Sequence, residues 1–89
     1  MTVHELEVPK EEFLAIAVSR KTFEIVNVRF RFAEMDTIRY FEVEEGTSIR
    51  TGRRVSVRVL YVLPDQIADD WKFPGSVFSI SVVYGSWQE

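Results

Sequence analysis

The segment Arg20–Ile25, RKTFEI, places two cations, a hydroxyl and a carboxylate close together, one residue after the apolar run FLAIAV. In an extended strand, Thr22 and Glu24 would project from the same face, two residues apart. A lysine beside a carboxylate can orient a water molecule or a carbonyl group, and a glutamate sheltered from solvent can act as a general base. The segment is therefore a candidate floor of a pocket that binds an anionic or nucleotide-like group, with Arg20, Lys21, Thr22 and Glu24 as its ligand-binding residues. An ordinary solvated junction between a helix and a strand is the alternative.

The charge of the chain is unevenly distributed. Overall the 89 residues carry a net charge of −3 and are 46% hydrophobic. Residues 20–58 nevertheless contain nine cations and six anions, whereas the segments on either side are acidic. Arginine suits phosphate because its planar fork can bond two oxygen atoms at once. The middle of the chain is thus the predicted site of phosphate contacts, with a mixed-charge solvated surface as the alternative. The arginines assigned to this role are Arg29, Arg31, Arg54 and Arg58.

Length and composition restrict the class of protein. We expect a single domain over residues 1–89 with a small hydrophobic core. The chain has no cysteine, which excludes disulfides and thiolate chemistry. No apolar run approaches the roughly 20 residues that cross a bilayer, and the N-terminus is acidic where a signal peptide would be basic. We therefore expect a cytoplasmic protein without membrane association, and the oligomeric state stays open.

Metal and cofactor sites are not predicted. His4 is the only histidine, so neither a histidine-rich metal site nor a Ser-His-Asp triad can be assembled from the sequence. His4 itself is interpreted as an exposed or edge residue of the first strand. The acidic run Glu42–Glu45 lacks calcium-loop spacing and is interpreted as a solvated strand end. There is also no phosphate-binding glycine loop.

Hydrophobic periodicity predicts an α+β domain. Alternating residues indicate strands over residues 3–8, 22–32, 36–44, 53–63 and 77–84, and a helix of about three turns begins at Pro9. The helix would bury Phe13, Ile16 and Ala17, and residues 64–76 would form a loop or a single helical turn. Five short strands and one packed helix favour a small mixed five-stranded β-barrel, in which closure protects the sheet edges.

Aromatic residues near the basic region are candidates for stacking on a nucleobase. Tyr61 continues the alternation from Val55 to Leu63, so we expect it to face the core. Trp71 is assigned to the ligand site because a loop between two prolines holds it, although plugging one end of the barrel would also explain its position. The full set of stacking candidates is Tyr40, Tyr61, Trp71 and Phe73.

Several short motifs, in order along nearly the whole chain, resemble a small ASCH domain of the PUA-like superfamily, the compact form found in bacteria and their phages. RKTFEI is the most telling of them, since a basic pair and a threonine lead from a helix into a strand. The other matching segments are HELEV at 4–8, FLAI on the helix, Phe32 with Asp36-Thr37, TGRRVSVRVLYVL at 51–63, and Gly75, Val77 and SIS at 79–81. The resemblance implies a PUA-like barrel with Lys21 at the mouth of a cleft. If the protein is an enzyme, the resemblance also implies that Lys21, Thr22 and Glu24 are its catalytic residues.

The sequence also departs from this family's pattern. Ser19 and Met35 stand where members usually have glycine, and Val26 stands where they usually have an arginine. In the deacetylases of the family a hydroxyl residue occupies the position of Glu24, and the acidic partner comes from a later loop. The nearest acidic residues of such a loop here are Asp69 and Asp70.

Three functions follow from the resemblance and the residues. The first is binding of RNA or a nucleotide, including a modified base, which PUA-like domains tend to bind. The second is amidohydrolase activity that deacetylates acetylated cytidine, as in some ASCH proteins. The third is a protein-interaction module on a degenerate ASCH scaffold, which the acidic ends of the chain favour.

Overall fold

A computed structural model describes residues 2–26, 32–73 and 75–83. Within these ranges, five strands and two short helices follow one another, and the predicted α+β class is confirmed. The elements are β1 (Val3–Pro9), α1 (Lys10–Ala17), β2 (Phe23–Val26), β3 (Thr37–Val43), β4 (Arg50–Val62), α2 (Asp65–Asp70) and β5 (Ser76–Val82). The predicted second strand extended to residue 32, and its part over residues 27–31 lies outside the described residues, as does Tyr84.

The strands form one mixed sheet in the order β1-β3-β4-β5-β2. β1 runs parallel to β3, and the other neighbouring pairs are antiparallel. The sheet curls into a half-barrel and does not close, so the predicted closed barrel is wrong. A helix covers the core instead, because α1 follows β1 directly and packs against β1, β3 and β4.

The core lies between α1 and the inner face of the sheet. Phe13 and Ile16 of α1 are fully buried against strand residues, as their helical spacing predicts, whereas Ala17 is only partly buried. α1 has 8 residues and is shorter than expected. The buried cluster consists of Phe13, Ile16, Phe32, Ile38, Tyr40, Val55, Val57, Val59, Phe78 and Ile80.

A β-bulge changes the facing of residues at the end of β4. Val55, Val57 and Val59 are buried as predicted, but the register with β5 shifts between Val59 and Tyr61. Because a bulge inserts one extra residue, the alternation of side chains is reset beyond it. Tyr61 therefore faces outward and is 49% exposed, so its predicted core position is wrong.

Neither α1 nor α2, the helices found in the described ranges, is long and apolar enough to span a membrane.

Candidate functional site

The chain reverses tightly between α1 and β2. The backbone N–H groups of Arg20 and Lys21 both donate to the carbonyl oxygen of Ala15, each at 2.9 Å. Ser19 adopts a left-handed conformation with φ of 60°, which ends the helix as a glycine commonly would. This turn brings the RKTFEI segment back beside the helix that precedes it.

Lys21 lies between two carboxylates. Its Nζ is 2.5 Å from Oε2 of Glu12 on α1 and 3.1 Å from Oε2 of Glu24 on β2. Burial alone would lower the pKa of Lys21, but the hydrogen bond to Glu12 and the interactions with Glu24 outweigh it and raise the pKa. Lys21 is therefore a fixed ammonium at neutral pH.

Tyr40 completes the cluster from the far side of the half-barrel. Its hydroxyl donates to Oε2 of Glu24 at 3.1 Å, and the tyrosine is fully buried. Burial, followed by the charge of Glu24 and the hydrogen bond to it, raises the pKa of Tyr40, which keeps the phenol protonated as a donor. β3 and β2 are not neighbours in the sheet, so this bond depends on the curl of the sheet. A fully buried ring cannot stack on a base, and the stacking role predicted for Tyr40 is excluded.

The polar cluster lies beside open space. A depression of about 570 Å³ is lined by residues of α1, including Glu12, and by Arg20. Lys21 and Glu24 are each partly exposed, with 20% and 13% of their side-chain surfaces accessible. Glu12 thus belongs to both the depression and the ion-paired cluster. The arrangement can offer carboxylate oxygens to N–H donors and a guanidinium to an anion.

Only part of the predicted site set comes together here. Lys21 and Glu24 meet, Arg20 lines the adjoining depression, and Thr22 is exposed just before β2. The carbonyl oxygen of Thr22 accepts a hydrogen bond from the N–H of Ile80, so Thr22 continues the pairing of β2 with β5. Because Thr22 and Glu24 are two residues apart in this extended segment, they project to the same face of the sheet, as predicted.

The other predicted ligand residues lie elsewhere. Arg54 and Arg58 pair with Phe41 and Thr37 on the outer face of the sheet, opposite to Glu24. Trp71 caps the C-terminus of α2 and is 65% exposed, so it does not plug the half-barrel. Its ring meets that of Phe73 edge to face at a centroid distance of 6.3 Å. Arg29 and Arg31 lie outside the described residues.

Asp36 anchors a second polar cluster, at the start of β3. Its carboxylate accepts the N–H groups of Thr2 and Ala33, each at 3.0 Å, and lies 2.8 Å from Nε2 of His4. The hydrogen bond with His4 lowers the pKa of Asp36 most, burial opposes it, and the two backbone donors add to the lowering. His4 lies on the edge strand β1, which agrees with its interpretation as an edge residue, and its ring also packs on Phe32 at a centroid distance of 4.4 Å. Both oxygens of the Asp36 carboxylate thus have a hydrogen-bond partner within the protein.

Glu42 anchors a third cluster, at the end of β3. Arg53 donates to both of its oxygens, and the Thr51 hydroxyl donates to Oε1 at 2.6 Å. The hydrogen bond with Arg53 lowers the pKa of Glu42 against the opposing effect of burial. Glu42 is buried, which corrects its interpretation as part of a solvated strand end. Within the described ranges no group of three acidic or histidine residues could hold a metal ion.

Sequence reasoning missed two members of the site. Glu12 was not among the predicted site residues, and Tyr40 was predicted to stack on a base. Glu12 lies nine residues before Lys21, and no spacing rule connects two residues across a helix end. Tyr40 reaches Glu24 only because the sheet curls, and the sequence of a strand does not indicate how strongly the sheet curls.

These observations define a class, a small mixed-sheet α+β domain whose curled sheet holds a lysine–glutamate–tyrosine cluster beside a helix end. Residues 3–84 match a family described as a domain of unknown function, DUF3850, and the chain belongs to that family. No curated protein matches the chain.

Proposed function

We propose that this protein binds RNA or a nucleotide, including a modified base, through the cluster of Glu12, Lys21, Glu24 and Tyr40, as a small ASCH-type domain of the PUA-like superfamily. The observation that carries the proposal is the position of Glu24. Its carboxylate is held by Tyr40 and Lys21 on the inner face of the sheet, yet remains partly accessible beside an open depression.

The charge of the cluster specifies which part of a nucleotide it would bind. Two carboxylates and one ammonium leave a net charge of −1, which disfavours phosphate at Glu24 itself. A carboxylate accepts hydrogen bonds from the exocyclic amine and ring N–H groups of a base. The base edge therefore binds at Glu24, and the phosphate binds at the exposed guanidinium of Arg20, which lines the depression.

Backbone conformation supports the ASCH-type assignment. Ser19 and Met35 have φ values of 60° and 75°, in the left-handed region that favours glycine. These are the two positions at which the resemblance implies glycine. A cytoplasmic location is part of the same proposal, since a chain without cysteine suits a reducing compartment.

Direct binding measurements test this function. We expect cytidine 5′-monophosphate and a short single-stranded RNA to bind at low salt, with affinity that falls as salt rises. Glu24→Gln should weaken binding of the mononucleotide by about 10- to 100-fold, because a hydrogen bond to a charged group contributes roughly 1.5–3 kcal/mol. Glu5→Gln, at an exposed carboxylate of β1, is the matched control and should bind normally. Equal affinity of the Glu24 variant and the wild type would refute the site.

Amidohydrolase activity on acetylated cytidine is the second candidate, and the ammonium between two carboxylates favours it. The raised pKa of Lys21 assigns it the role of a cation that polarises the acyl oxygen, because a protonated lysine is neither a base nor a nucleophile. Glu24 would then activate the attacking water, and the exposed Thr22 hydroxyl would contact substrate at the rim. Incubation with acetylated cytidine should release cytidine, and turnover no greater than that of Lys21→Ala would eliminate this activity.

A further inference from the structure

The outer face of the sheet carries an aromatic pair on either side of a serine. Phe23 of β2 and Tyr61 of β4 are both paired with Ser79 of β5, so the three side chains project from the same face. Phe23 is 53% exposed and Tyr61 49% exposed. The two rings are attached to strands separated by one strand, so their Cα atoms are about 10 Å apart. This places two rings beside each other with only a small side chain between them.

The bulge in β4 is what creates this pair. Without the shift between Val59 and Tyr61, the tyrosine would continue the inward register of the preceding valines. Bulges commonly re-aim a side chain next to a functional site. Here the bulge removes a large aromatic ring from the core and places it in solvent, in line with Phe23. The same shift turns Val62 inward, where it packs against the core cluster.

The charge around the pair suits a polyanion. On the strands β2, β4 and β5, the described outward-facing residues include no carboxylate, although the protein as a whole is acidic. Arg58 projects from this face, paired with Ser81, and no ion pair joins it to another described residue. A second open depression, of about 320 Å³, is lined by Arg58, Leu60 and Ser81 among others. The acidic residues of β1 on the same face are instead neutralised by Arg39 and Arg50.

We propose that this face is a second binding surface, for single-stranded RNA, in which Phe23 and Tyr61 each stack on a base and Arg58 contacts a phosphate. Exposed aromatics on a sheet surface are suited to unpaired bases, because every base offers a π-face. The surface is separate from the Glu24 cluster, since Phe23 and Glu24 project to opposite sides of β2. The stacking surface therefore accepts a strand of at least two nucleotides independently of the inner site, which is the cluster of Glu12, Lys21, Glu24 and Tyr40.

Substitutions that separate aromatic stacking from apolar area test the proposal. The probe is a fluorescein-labelled ten-nucleotide oligouridine, measured by anisotropy at low salt with the full chain. Phe23→Leu keeps an apolar side chain but removes the ring, and should weaken binding by about 5- to 150-fold, the range expected for the loss of one stacked base. Phe23→Trp should retain binding, and Tyr61→Leu should behave like Phe23→Leu. The matched control is Ile49→Ser, an exposed apolar residue outside this face, which should bind normally.

The outcomes distinguish this surface from the inner site. Loss of oligouridine binding in the Phe23 and Tyr61 variants, with cytidine 5′-monophosphate binding unchanged, supports the outer surface. Loss only in Glu24→Gln assigns all binding to the inner site and overturns the proposal. Equal binding of Phe23→Leu and Phe23→Trp also overturns it, as does absence of oligouridine binding by the wild type. Circular dichroism of each variant verifies folding. If Phe23→Leu instead converts a dimer to a monomer without altering RNA affinity, the face is a self-association surface.

Discussion

The hydrogen bond between Tyr40 and Glu24 provides the sharpest test of the site geometry. Tyr40→Phe removes one hydroxyl and leaves a ring of nearly the same shape in a fully buried position. Glu24 then keeps Lys21 as a partner at 3.1 Å, so it loses one of two charged or polar contacts. A hydrogen bond to a charged group contributes about 1.5–3 kcal/mol, and the partial exposure of Glu24 lets water replace some of it.

We therefore expect Tyr40→Phe to lower the free energy of unfolding by about 1–2 kcal/mol. For a domain of this length, the melting temperature should fall by roughly 5–15 °C. Urea unfolding of Tyr40→Phe, Glu24→Gln and the double variant gives the interaction energy of the pair. The double variant should be more stable than the sum of the two single effects predicts.

The control for this cycle is Tyr61→Phe. The Tyr61 ring is half-exposed, and no described residue bonds its hydroxyl. This change should alter the free energy of unfolding by less than about 0.5 kcal/mol. If Tyr40→Phe also leaves the free energy of unfolding unchanged, Tyr40 and Glu24 do not interact. The same conclusion follows if Tyr40→Phe has the same effect in the wild type and in Glu24→Gln, and the sheet then does not curl far enough to bring the two residues together.

Two further predictions concern stability. The pKa of Asp36 is lowered on folding, so its contribution to stability is fully present above the ordinary pKa near 4 and is lost as pH falls below it. Asp36→Asn should therefore reduce the difference in unfolding free energy between pH 7 and pH 3, whereas Glu5→Gln should preserve it; an unchanged difference in Asp36→Asn would contradict the assignment. Ser19→Gly and Met35→Gly should each raise the free energy of unfolding by roughly 0.5–1 kcal/mol, because relief of left-handed strain exceeds the added chain entropy of glycine. Ala15→Gly, inside α1, is the control and should instead lower the free energy of unfolding by about 1 kcal/mol in the same thermal or urea experiment. Destabilisation by both Ser19→Gly and Met35→Gly would refute the strain argument.

The sequence was sufficient to predict the strands because their side chains alternate. Val55, Val57 and Val59 are buried and Arg54 and Arg58 point away, as period-two alternation requires. Tyr61 was assigned to the wrong face because nothing in RVLYVL marks the bulge, which has no glycine or proline to signal it. The prediction of a closed barrel was wrong because closure depends on the tilt and stagger of the strands, which the residue types of a single strand do not encode.

The candidate site was predictable in part. The proximity of Lys21 and Glu24 follows from their position at the start of one strand, and the structure brings them together. The contacts with Glu12 and Tyr40 join residues from separate elements, and only the folded arrangement reveals them. Asp36 was similarly hidden, because it collects donors from the N-terminus of the chain and from the turn that precedes it.

β3 and β2 differ in how many contacts hold each strand in the sheet. β3 has a neighbouring strand on each side and a buried carboxylate cluster near each end, whereas β2 has four residues at a sheet edge and one paired neighbour. The inner site thus joins β3, which has many stabilising contacts, to β2, which has few and is one of the strands most open to local unfolding. A ligand bound to the accessible side of Glu24 would add a contact to that edge strand, so that recognition and the ordering of the edge would share a single free energy.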